Sequence, residues 1–104
     1  MIRFTWYESG DLFGIHYIFE KAGDALPNHA HARETLHNVV VLKGAIREND
    51  TVVSAGQIHD FDGTQLHLIT SLVDGTEILN LFLHGKPDDY NSLPDSEKSG
   101  VLNG

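Results

Sequence analysis

His29-Ala30-His31-Ala32-Arg33-Glu34-Thr35-Leu36-His37, running on through Asn38-Val39-Val40-Val41-Leu42-Lys43 to Gly44, holds three imidazoles within nine residues. The first two are spaced i, i+2. In an extended backbone successive side chains alternate faces, so His29 and His31 point the same way. His37 has the same parity, with a turn expected in between. A fourth histidine, His67, falls in a second strand-like run, Gln65-Leu66-His67-Leu68-Ile69-Thr70. Neutral imidazole is the commonest protein metal ligand, and clustered imidazoles suit zinc, iron, nickel or copper. A bare His-x-His also describes a pair of surface-loop histidines, so what surrounds the cluster decides between the two.

Outward from the cluster, the chain reads as strands and turns. Ile2 to Glu8 is rich in β-formers and roughly alternates. Gly14 to Lys21 sets Ile15, Tyr17 and Phe19 on one face against His16, Ile18 and Glu20 on the other. Leu36 to Leu42 is apolar on both faces, the pattern of a strand covered on both sides by a second sheet or subunit. Gly44 opens a short strand that ends in a hairpin turn at Glu48-Asn49-Asp50, and Thr51-Val52-Val53 returns. Gln57 to Phe61, Gln65 to Leu72 and Thr76 to His84 follow, separated by the hairpin signals Asp62-Gly63 and Asp74-Gly75. Strands this short, with turns every eight to twelve residues and no helix before Gly85, are the signature of an all-β sandwich or barrel. Residues 1–85 form the barrel in this reading. From Lys86 the composition turns polar, and residues 86–104 read as a tail draped on the surface, with room for one helical turn.

A chain of 104 residues is one domain with a real core. It has no cysteine, so neither a disulfide nor a thiolate ligand enters the argument, which is compatible with a cytoplasmic setting. The formal charge is −8, with only seven scattered Lys and Arg, and phosphate surfaces need clustered cations; nucleic acid and anionic membrane are therefore poor partners. No apolar run is long enough to span a bilayer, and the N-terminus lacks a signal-peptide pattern.

The chain resembles the small single-domain cupins of the RmlC-like kind. Their first motif is G-x5-H-x-H-x3/4-E-x6-G. Gly23, five residues, His29, Ala30 and His31 match its opening, and six residues back from Gly44 stands His37, where glutamate is usual. The second motif is G-x5-P-x-G-x2-H-x3-N. Gly56, Asp62, Thr64, His67 and Ser71 match its spacing throughout, with the residue type kept at Gly56 and His67. Eleven residues, Ala45 to Ala55, lie between the motifs. The departures are the glutamate, proline, glycine and asparagine positions, and a gap from His31 to His37 one residue longer than usual.

The resemblance implies a double-stranded β-helix, or jelly roll, of two facing antiparallel sheets, often a homodimer, with a divalent transition metal (Fe, Zn, Ni or Mn) inside. The implied ligands are His29, His31, His37 and His67. Glu34 competes as fourth ligand because it would restore a carboxylate, although its distance from Gly44 is wrong. Gln65 and Ser71 share parity with His67 and are candidate contacts to the metal's ligands or to a substrate. Tyr17 and Phe82 would line a pocket or simply fill the core. His16, His59 and His84 read as hydrogen-bonded or solvent-facing, with His59 a candidate for the barrel mouth. Arg33 reads as a surface charge or a substrate clamp. Cupins include dioxygenases, isomerases, cyclases, lyases and non-catalytic binders, and fold does not choose among them. The expected function is an enzyme on a small organic substrate, anionic or enolisable. A ligand-binding or sensor barrel is the first alternative and a purely structural metal site the second.

Overall fold

A computed structural model describes residues 1–9, 12–26, 36–62, 68–82 and 99–102. Among them are nine strands: β1 (Ile2–Ser9), β2 (Leu12–Phe19), β3 (Leu36–Lys43), β4 (Ala45–Glu48), β5 (Thr51–Ser54), β6 (Ile58–Asp62), β7 (Ile69–Ser71), β8 (Thr76–Phe82) and β9 (Ser99–Leu102). No helix occurs among the described residues, and the all-β reading holds. A six-stranded sheet runs β6-β3-β8-β2-β1-β9 and a three-stranded sheet runs β5-β4-β7; every pairing is antiparallel. This is the jelly-roll arrangement of two sheets.

The inner faces follow the period of two. Ile2, Phe19, Val39, Val41 and Ile78 of the large sheet and Ile46, Val53 and Ile69 of the small one are buried together, with Leu26 from the segment after β2. Ile15 is buried beside them, with Phe4, Trp6 and Tyr17 against it. Burying one such aliphatic side chain is worth roughly 1.5–3 kcal/mol, so these residues supply most of what holds the sheets face to face. On β2 the alternation is as expected: Ile15, Tyr17 and Phe19 face in, and His16 faces out to Glu77 of β8, with Nε2 and Oε1 3.1 Å apart. On β3 the small sheet covers Val39 and Val41. On the other side of that strand Leu42 is exposed, as is Ile58 of the neighbouring β6.

Gly44 moves the chain from one sheet to the other. Its φ is +79°, and a Cβ there would press on the Thr76 hydroxyl and stand 3.1 Å from Thr76 Cα. Glycine is required on both counts. Thr76 uses that closeness, donating to the carbonyl oxygens of Val73 (2.7 Å) and Ala45 (3.3 Å).

Of the expected tail, residues 86–98 and 103–104 lie outside the described residues. Ser99–Leu102 are a strand that pairs with β1, Ile2 against Leu102 and Thr5 against Ser99. Edge pairing draws on backbone groups, so the polar composition around this segment did not reveal it.

Candidate functional site

Register builds the site. Directly opposed residues of antiparallel strands share a face. One row across the large sheet's inner face is therefore Trp6, Ile15, Asn80, Val39 and His59, contributed by β1, β2, β8, β3 and β6. The next row, two residues and about 6.8 Å along the strands, has Phe13, Phe82, His37 and Phe61 as register partners. His37 thus lies beside Phe82 and Phe61 in the backbone ladder, at the same parity as buried Val39 and Val41.

The small sheet faces the first of these rows. On β4 Ile46 and Glu48 are buried while Arg47 is exposed. The Glu48 side chain enters the space between the sheets, and its Oε1 lies 3.3 Å from Nε2 of His59 on the opposite sheet. Only 4% of the residue is exposed. Its second oxygen, Oε2, is buried with no hydrogen-bond partner among the described residues, and the same is true of Oδ1 of Asn80. Burial pushes the Glu48 carboxyl up to about 7, because removing a carboxylate from water disfavours its charged form. A buried acid poised near neutrality, with one oxygen that has no partner among the described residues, can take up or deliver a proton.

Of the residues singled out in the sequence, His29, His31, Glu34, Gln65 and His67 lie outside the described residues, as do Arg33 and His84. His37 and Phe82 are described by backbone and register alone. Tyr17 is half-buried on the inner face, its ring centroid 6.4 Å from that of Phe19. Ser71 is buried and faces in, but its hydroxyl donates to the carbonyl oxygens of Lys21 (2.6 Å) and Asp24 (3.2 Å). Those bonds fasten the segment that leads toward His29. The Gly23 N–H donates to Ser71 O, Ala25 bridges Thr70, and the Leu26 N–H donates to Ile69 O at 2.9 Å. Among the described residues no group of three or more His, Cys, Asp or Glu could hold a metal.

Sequence reasoning missed Glu48 and Asn80; it read His59 as hydrogen-bonded or solvent-facing and a candidate for the barrel mouth, and Nε2 of His59 stands 3.3 Å from Glu48. Glu48 read as part of a turn, yet it closes β4 and the turn begins one residue later. The available signal was parity: Glu48 alternates with Ile46, and Asn80 with Ile78. Polar residues at apolar positions mark an interior that is not purely packing.

No protein-family model matches the sequence, and no curated protein does. Solved structures do match. An RmlC-like cupin protein from Desulfovibrio desulfuricans is 25% identical, with 79% of each chain covered and a TM-score of 0.64. KdgF from Halomonas sp. is 20% identical over 86% of this chain and 83% of that one, with a TM-score of 0.70. An oxalate oxidase in complex with the substrate analogue glycolate is 16% identical over 83% of this chain, with a TM-score of 0.69; the match spans 52% of that longer chain. No helix among the described residues is long and apolar enough to cross a membrane. With two antiparallel sheets arranged as in these neighbours, the chain has the fold of the small RmlC-like cupins.

Proposed function

We propose that the barrel binds a divalent transition metal through His29, His31, His37 and His67 and acts there on a small anionic or enolisable organic substrate. The observation that carries this reading is the stitching of the segment after β2 to β7. Ala25 bridges Thr70 and Leu26 bonds to Ile69. In the sequence His29 follows Leu26 by three residues and His67 precedes Ile69 by two, and Leu26 and Ile69 are the residues that this stitching joins. His37 supports it from the large sheet, at the inner parity of β3. The donor set suits zinc, nickel, iron or manganese. With four neutral imidazoles the ion keeps its +2 charge, and when bound it supplies a strong Lewis acid that favours an enolate or carboxylate. Proton-transfer chemistry is favoured over oxygen chemistry by the Glu48 carboxyl in the adjacent row, a candidate acid–base group within the barrel.

The test is metal content by elemental mass spectrometry on tag-free protein beside His37→Ala and His67→Ala. One metal per chain in the wild type, lost in both variants, is the expected result. Ligating imidazoles must be deprotonated, so occupancy should fall below about pH 6.5. A wild-type protein that neither contains nor takes up metal sinks the reading. The proposal includes a homodimer, since Leu42 and Ile58 are apolar and exposed on the outer side of β3 and β6; sedimentation at the mass of a single chain would remove that part.

A further inference from the structure

We propose that Glu48 is a proton-transferring residue of the barrel, with His59 as its positioning partner, acting on the carbon next to a carbonyl of a small 2-oxo or 2-hydroxy compound. The inference rests on the reading above, because it places the substrate in the row that contains His37.

Three observations carry it. Glu48 is 4% exposed, yet among the described residues only one of its oxygens has a partner, Nε2 of His59 at 3.3 Å. A carboxyl kept only to fill space would be replaced by an apolar side chain at no loss, and one kept for an ion pair would have both oxygens satisfied. The free Oε2 is not isolated. Asn80, 2% exposed, stands in the row of His59 with Val39 between them, and its Oδ1 also lacks a donor among the described residues. Two buried acceptors on the inner surface thus have no donor among the described residues, so this part of the interior is not closed by packing alone. Finally, the register puts this row one step from His37. The backbone of His37 is two residues, about 6.8 Å, along β3 from Val39, which pairs with His59.

In the small sheet the register sets Glu48 beside Ile69 of β7 and Thr51 of β5, and His59 of β6 meets it from the large sheet. Among the described residues, His59 is the ionisable group within ion-pair distance of it. In the proposed step the Glu48 carboxylate takes the proton of the carbon next to the carbonyl. The C–H bond breaks, its electron pair forms the enolate double bond, and the carbonyl oxygen receives the negative charge. The proton rests on Oε2 and returns to the same or the neighbouring carbon, so no oxidant or reductant is needed. His59 holds Oε1 and keeps Oε2 aimed inward. A Glu48 carboxyl near 7 keeps both protonation states populated at neutral pH, as acid–base work requires.

The experiment uses zinc-loaded full-length protein and two probes, pyruvate and hydroxyacetone, in deuterium oxide. Loss of the proton signals next to the carbonyl is followed by NMR, and metal content is measured on every sample. The wild type should exchange at least one probe above the zinc-buffer rate. Glu48→Gln should lower exchange by about 100-fold or more with metal content unchanged, and Glu48→Asp should recover part of it. His59→Asn should shift the pH profile of exchange. A second readout needs no turnover: the Glu48 carboxyl carbon signal, assigned by its loss in Glu48→Gln, should move when pyruvate is added. A folded, zinc-loaded Glu48→Gln that exchanges at the wild-type rate overturns the proposal. So does a zinc-loaded wild type that exchanges neither probe, or a Glu48 signal that does not respond. A wild type that binds no zinc instead sinks the metal reading, and the response of the Glu48 signal then decides this one separately.

Discussion

Glu48 is a carboxyl that ionises only against the cost of its burial, and that ties stability to pH. Its folded value, about 7, lies above the ordinary 4.5, so the folded state holds the proton more tightly than the unfolded chain does. The associated stabilisation is complete below about 4.5 and is lost as pH rises through about 7. Urea unfolding of wild type and Glu48→Gln should therefore diverge over this range, the wild type weakening by about 3 kcal/mol relative to the variant by about pH 8. Parallel stability curves would show that the carboxyl is not desolvated in solution. Gly44 gives a second check at this scale. Gly44→Ala forces a side chain into a left-handed φ and against Thr76, and should cost about 2 kcal/mol or more by chemical denaturation. At single residues the sequence was legible where spacing repeats a motif, as at Gly44 and Gly56, both of which take a positive φ. It was opaque to the pairing of Glu48 with His59, because parity can mark an inward residue but no pattern within a strand names its partner on the opposite sheet.

Strands β4 and β7 are short, four and three residues, so each depends on very few inward side chains. Ile46 and Ile69 are fully buried, and truncating either to alanine leaves a cavity between the sheets. Ile46→Ala should cost about 2–5 kcal/mol, read as a lowered denaturation midpoint. An equivalent truncation at exposed Val52 should stay within about 0.5 kcal/mol. Elements were the most legible level. Alternation at Ile15-Tyr17-Phe19 and the Asp-Gly and Asn-Asp turns each marked a strand or its end, because burial on one face imposes a period of two on the residues themselves. β9 escaped that logic: it pairs at an edge, and edge pairing asks little of side chains.

Across the whole molecule, the two apolar faces of β3 indicated correctly that a second sheet packs on one of them. Strand order was beyond any local pattern, since pairing is decided between segments remote in sequence. That order has a consequence for how the protein is made. β8 sits between β3 and β2, and His16 meets Glu77 across 61 residues of chain. A nascent chain halted before Thr76 has its β1–β2 hairpin and β3 but not the strand that joins them. Ile15, Phe19, Val39 and Val41 then wait in water until the ribosome delivers that strand, and they are open to capture by holdase chaperones or by one another. Stalled chains ending at Gly75 should be protease-sensitive and chaperone-bound, whereas chains released past Phe82 should gain protection within milliseconds to seconds.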